Sequence, residues 1–110
     1  MQSIRFHGRG GQGAKTASRI VGTAAFLEGH QAQDSPIYGA ERRGAPVAAF
    51  TRISSEPIRE RGLITRSDLV VIADASLVRD TAARVLDGVE AHTVVFVNSP
   101  LTSDQVLAQM

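Results

Sequence analysis

A glycine-rich stretch near the start of the chain, "FHGRGGQGAKTA", residues 6 to 17, has the composition of a ligand-binding turn. Gly8, Gly10 and Gly13 satisfy the G-x-G-x-x-G spacing of a dinucleotide-binding turn, and Asp34 follows at the distance expected of a ribose-binding acid. Glycines between a strand end and a helix start let backbone N–H groups approach an anion, and the helix dipole favours negative charge there. On this reading the N–H groups of Gly10, Gly11 and Gln12 face a phosphate and Arg9 supplies charge. The same glycines also serve a tight turn and close helix-to-strand packing, and Asp34, followed by Ser35 and Pro36, is equally a turn former.

A second candidate is "YGAERRGAPV", residues 38 to 47. Pro36 and Pro46 bound a stretch in which Arg42 and Arg43 present two guanidinium groups beside Glu41. Two planar forks can clamp a phosphate or bridge to a neighbouring subunit's carboxylates; an internal Glu41–arginine pair is the alternative, worth about 0–1 kcal/mol if exposed.

The remaining polar residues form no catalytic constellation. His7, His30 and His92 are scattered without metal-ligand spacing, and Ser67-Asp68 and Asp74-Ala-Ser76 read as caps, because no G-x-S-x-G elbow is present. The chain has no cysteine, which removes disulfides, thiol nucleophiles and thiolate ligands for zinc or an iron–sulfur cluster. No catalytic residue and no metal ligand is assigned.

Elements must hold these loops in place, and 110 residues allow one small domain, 1–110. Net charge is +1, with eleven arginines and the single lysine Lys15 forming no basic run, so neither nucleic acid nor an anionic membrane is an expected partner. No long apolar segment or leader pattern appears, and the expected location is the cytoplasm.

Residues 2 to 7 read as a strand running into the glycine loop, and 14 to 28 as a helix through Ala17, Ile20, Val21, Ala24 and Leu27, stopped by Gly29. Residues 31 to 35 read as a short strand and 35 to 46 as a long loop. "PVAAFTRIS", 46 to 54, alternates as a strand, with Val47, Ala49 and Thr51 on one side and Ala48, Phe50 and Arg52 on the other. The unbroken apolar runs of "DLVVIAD", 68 to 74, and "HTVVFVN", 92 to 98, mark parallel strands covered on both faces. Between them, a helix capped by Ser76 is expected to reach Asp87 with Val78, Ala82, Val85 and Leu86 inward, ended by Gly88. A further helix starts near Ser103 and is cut by the end of the chain, which predicts a C-terminal truncation. Alternating strands and helices imply an α/β fold: a Rossmann-like three-layer α/β/α sandwich with a mainly parallel sheet.

Taken as an ordered set, "IRFHGRGGQG", "AAFLEG", "GAERRGAPVAAFTRIS", "EPIRERG" and "DLVVIADASL" resemble the gamma subunit, or domain III, of 2-oxoacid:ferredoxin oxidoreductases, the pyruvate and ketoisovalerate group. The resemblance spans nearly the whole chain and departs at Ala14-Lys15, where a hydrophobic pair is commoner, and in length, family members being longer. It implies a subunit that is not active alone. The complex it implies oxidatively decarboxylates a 2-oxoacid on thiamine diphosphate, passes electrons through iron–sulfur clusters to ferredoxin, and forms acyl-coenzyme A. Its other subunits, alpha, beta, delta or a fused equivalent, hold most of those cofactors, none of which is bound wholly by this chain. In that setting the expected cofactor-binding residues are Gly8, Arg9, Gly10, Gly11, Gln12 and Gly13 with Arg42 and Arg43, and the expected ligand is the phosphate portion of coenzyme A. A free-standing nucleotide-binding module is the alternative.

Overall fold

A computed structural model describes residues 1–37, 45–59, 66–81 and 83–109. Five strands, β1 (Gln2–Arg9), β2 (Gln31–Ile37), β3 (Pro46–Ser54), β4 (Leu69–Ile72) and β5 (Val94–Val97), form one sheet in the order β2-β3-β1-β4-β5. β4 runs parallel to both of its neighbours, β1 and β5, as the apolar runs at 68–74 and 92–98 predict for β4 and β5, while β3 lies antiparallel between β1 and β2. The sheet is therefore mixed, with its parallel half on the β4–β5 side. Alternation reports which face a residue takes but not the direction in which its strand runs.

Helix α1 (Ala14–Leu27) crosses the β1–β3–β2 half of one face. It turns small residues inward: Ala14, Ser18 and Gly22, spaced four apart, are its buried positions. This close approach creates a hydroxyl cluster in which Ser18 Oγ lies 2.7 Å from the Phe50 carbonyl oxygen and 2.8 Å from Thr51 Oγ1, with Thr51 Oγ1 2.8 Å from the Ser18 carbonyl oxygen. The alternation expected of 46 to 54 holds, since Thr51 faces α1 while Phe50 and Arg52 face away from it.

The opposite face is covered differently from expectation. In place of a helix to Asp87 there is a 3-10 helix, Ala75–Arg79, followed by turns, and its cap is Asp74 rather than Ser76. Arg84 at φ 52 interrupts any continuous helix through this stretch. The turns bring Leu77 and Val85 onto Val70 and Ile72, a core to which Val78, Ala83, Val89, Val95 and Val97 add. Leu86, expected inward, is 41% exposed, and Ala82 lies outside the described residues. A short final helix, α2 (Ser103–Leu107), starts at a reciprocal capping box between Thr102 and Gln105.

Candidate functional site

The glycine stretch lies at the carboxyl end of β1, beside the carboxyl end of its parallel neighbour β4, the position where open α/β sheets place ligands. Gly8 still belongs to the strand, opposite Val47. The chain then turns: Gln12 N–H donates to the Arg9 carbonyl at 3.0 Å, with Gly11 at φ 92 in the position of a type II turn that requires a positive value. Gly13, at φ 82, is the N-cap of α1 and brings no side chain to the helix end; the first turn of α1 also has no acid. The start of α1 thus has neither a capping side chain at Gly13 nor an acid in its first turn, an arrangement compatible with an external anion.

Other donors of the stretch are already engaged. Gly10 N–H donates to the Ala45 carbonyl at 2.7 Å, tying the turn to the start of β3. Gln12 folds back, its Oε1 accepting from Arg9 N–H at 2.7 Å and its Nε2 donating to Asp74 Oδ2 at 2.9 Å. Gly8 permits this, because a Cβ at that position would come within 3.3 Å of Gln12 Oε1. Of the three amides expected to face a phosphate, Gly10 and Gln12 make these internal bonds.

Arg9 reaches across to the end of β4. Its Nε and Nη2 donate to Ser76 Oγ at 3.1 and 2.8 Å, and the guanidinium lies 3.6 Å from Asp74 and 4.0 Å from Asp80. Asp74 also accepts from Ser76 N–H at 3.0 Å and from Ser76 Oγ at 2.6 Å. Hydrogen bonds from Ser76 and Gln12, with Arg9 nearby, hold the Asp74 carboxyl down to about 2. Arg9, Gln12, Asp74 and Ser76 form one network joining the glycine turn to the β4 end. Sequence reading took Asp74 and Ser76 only as caps; the available signal was that Asp74 closes the apolar run of a buried strand beside β1.

Behind this network lie two side chains with unmet polar atoms. Arg5 and His7, both 4% exposed, stand on the β1 face opposite α1. Arg5 Nη2 donates to the Val85 carbonyl at 2.9 Å, while Arg5 Nε and His7 Nε2 have no partner. Burial first, and then the neighbouring Arg5 charge, push the His7 imidazole down to about 4, so it is neutral at physiological pH.

Asp34 does not join the glycine turn. It lies against the middle of α1, its Oδ1 3.5 Å from where a Cβ on Gly22 would stand, in a cleft of about 320 Å³ lined also by Lys15, Thr16, Ser18, Arg19, Ser35 and Ala49. Gly22 is nine residues along from Gly13, or about 13 Å at the helical rise. That separation removes the ribose-binding acid from the dinucleotide reading. Tyr38, Glu41, Arg42 and Arg43 lie outside the described residues. His92 pairs with Asp68 at 2.9 Å, and among the described residues no group of three histidine, cysteine or acidic side chains could hold a metal. No described helix is long and apolar enough to cross a membrane.

With this geometry in hand, three comparisons identify what the chain is similar to. The family model described as pyruvate ferredoxin/flavodoxin oxidoreductase matches residues 3–109. The pyruvate/ketoisovalerate oxidoreductases common subunit gamma of Pyrococcus furiosus is 48% identical over 110 residues, covering 100% of this chain and 58% of the relative. The pyruvate synthase subunit PorC of Methanothermobacter marburgensis is 50% identical over 99 residues, covering 90% of this chain and 55% of its own length. Among solved structures, the pyruvate oxidoreductase subunit PORC of Thermotoga maritima superposes with a TM-score of 0.83 at 34% identity, over 99% of this chain and 56% of that one. A 2-oxoglutarate:ferredoxin oxidoreductase from Magnetococcus marinus, with 2-oxoglutarate, coenzyme A and succinyl-CoA bound, shares the fold at TM-score 0.71 and 19% identity, over 93% of this chain and 17% of that one. The chain thus spans between half and three fifths of the curated relatives it matches.

Proposed function

The chain belongs to the pyruvate ferredoxin/flavodoxin oxidoreductase family, and from that premise we propose that it serves as the gamma-type subunit of a 2-oxoacid:ferredoxin oxidoreductase, in the cytoplasm. The observation that carries this reading is 48% identity to a named gamma subunit across the full 110 residues. The proposed reaction is oxidative decarboxylation of a pyruvate-like 2-oxoacid to its coenzyme A thioester, with electrons leaving to ferredoxin. Thiamine diphosphate would supply the decarboxylation chemistry and iron–sulfur clusters the electron path, on other subunits. For the clusters this chain offers no thiolate, since it has no cysteine, and its described residues hold no group of three histidine or acidic side chains for a metal.

Coenzyme A is a different case. The start of α1 has no side-chain cap and no acid in its first turn, so its amides suit a phosphate. In this proposal Gly11, Gly13 and the first turn of α1 supply N–H groups, with Gly8, Gly10 and Gln12 shaping the turn. Arg9 and, from the 38 to 44 stretch, Arg42 and Arg43 supply positive charge. The Arg9–Ser76–Asp74 network supports a positioning role for Arg9, because it fixes the guanidinium at the rim of the turn.

The test is the apparent coenzyme A constant of a complex rebuilt with Arg9→Ala. A constant raised severalfold, and more so at low salt, with the complex intact supports an anion site in the turn. A constant equal to wild type confines the turn to architecture and leaves the subunit assignment standing. Failure of the wild-type chain to co-purify with the other subunits contradicts the assignment itself.

A further inference from the structure

Between α1 and the edge strand β2 lies the cleft of about 320 Å³ that holds Asp34, on the far side of the helix start from the Arg9–Asp74 network. Its inner lining is Ser18 and Ala49, each 1% exposed, so small side chains set its depth. Lys15, Arg19 and Gly22, at i, i+4 and i+7, share one stripe of α1, and Asp34 meets that stripe at Gly22. The charges around the cleft are not consumed by the fold. Arg19 and Asp34 both line it, yet among the described residues neither takes part in an ion pair or a side-chain hydrogen bond, with the other or with any neighbour. Two cations stand at the end nearer the start of α1, whose first turn has no acid to oppose an anion. One carboxylate stands at the other end, about 7.5 Å along the helix axis from the midpoint of Lys15 and Arg19.

We infer that this cleft binds a phosphate ester that also carries a hydroxyl group, the chemistry of a phosphorylated ribose. Lys15 and Arg19 take the phosphate as charge-assisted donors, and Asp34 accepts from the hydroxyl. A bare anion gains from the two cations but is repelled by Asp34, and an uncharged sugar leaves both cations unused. One ligand with both groups satisfies all three side chains. The volume is at the small end of ligand pockets, which suits a single phosphorylated ribose rather than a whole dinucleotide. This site is separate from the anion site proposed at the glycine turn and does not depend on it.

Calorimetric titration of the chain with AMP, with inorganic phosphate and with coenzyme A tests this, in the wild type and in Arg19→Gln, Asp34→Asn and Arg9→Ala proteins whose folding is checked by circular dichroism. AMP is expected to saturate one site, to bind about fivefold or more weakly to Arg19→Gln and to Asp34→Asn, and to be unaffected by Arg9→Ala. Inorganic phosphate is expected to weaken with Arg19→Gln but not with Asp34→Asn, since loss of that carboxylate removes a repulsion. No AMP binding in the wild type, or equal binding in wild type and Arg19→Gln, overturns the inference. Parallel weakening of AMP and phosphate by Asp34→Asn overturns it as well. With those results in its favour, coenzyme A separates the sources of the group: displacement of AMP assigns the cleft to the phosphorylated ribose of that coenzyme, and AMP binding that coenzyme A does not displace assigns it to a free nucleotide.

Discussion

The side chains of Gln12 and Asp74, 62 residues apart in sequence, meet at 2.9 Å and join the glycine turn to the end of β4. Gln12 also accepts from Arg9 N–H, and Asp74 also caps the 3-10 helix, so each residue orders its own loop before it joins the other. Replacing Asp74 by Ala is expected to cost about 1 kcal/mol, the size of a lost cap. Gln12→Ala is expected to cost a similar amount, and the double variant less than the sum by about 0.5 kcal/mol or more. Urea unfolding of the four proteins measures this. Strict additivity would show that the two loops are held independently. The folded Asp74 carboxyl lies below its usual value of 3.8, so its contribution is complete above that pH and is lost as pH falls toward about 2.

The hydroxyl cluster under α1 gives a second prediction. Ser18 and Thr51 are 1% and 0% exposed, and Ser18→Ala leaves the Thr51 hydroxyl and the Phe50 carbonyl short of a partner. A loss of about 1–3 kcal/mol is expected, while Ser18→Ala combined with Thr51→Val should recover part of it. Thermal melts of the single and double variants decide this. A Ser18→Ala protein as stable as wild type would mean that the cluster does not anchor the helix.

His7 predicts a pH dependence of the same sign as that of Asp74, in a higher window. Its folded value is lowered from 6.5 to about 4, so between those values the unfolded chain takes up a proton that the folded chain refuses. Stability from this source is therefore complete above pH 6.5, declines as pH falls, and levels off near 4. A His7→Gln protein should lack this part of the decline. Parallel slopes for the two proteins between pH 6.5 and 4 would contradict a buried neutral imidazole.

How much of this was legible in the sequence follows from what each signal reports. The 14 to 28 helix was legible from its periodicity, and the β4 and β5 strands from unbroken apolar runs, because those patterns follow directly from burial. The spacing of Val78, Val85 and Leu86 promised a helix for the same reason, but Asp74 caps a 3-10 helix and Arg84 adopts φ 52, so tertiary contacts override the local period. The glycine turn was legible as a turn. That Gln12 would fill it, and that Gly10 would bond Ala45, depends on contacts across the fold that no local pattern encodes. Asp34 shows the converse: its spacing from the glycines fits a ribose ligand, yet β2 carries it to the middle of α1.

The proposed role of this chain is the gamma-type part of a 2-oxoacid:ferredoxin oxidoreductase. The most direct measurement is 2-oxoacid- and coenzyme A-dependent reduction of a low-potential dye by the co-expressed subunits, with this chain present, omitted, or alone. Turnover is expected only when the chain and its partner subunits are together, with no 2-oxoacid oxidation or iron–sulfur absorbance in the chain by itself. Full turnover with the chain omitted, or oxidation by the isolated chain, would contradict it.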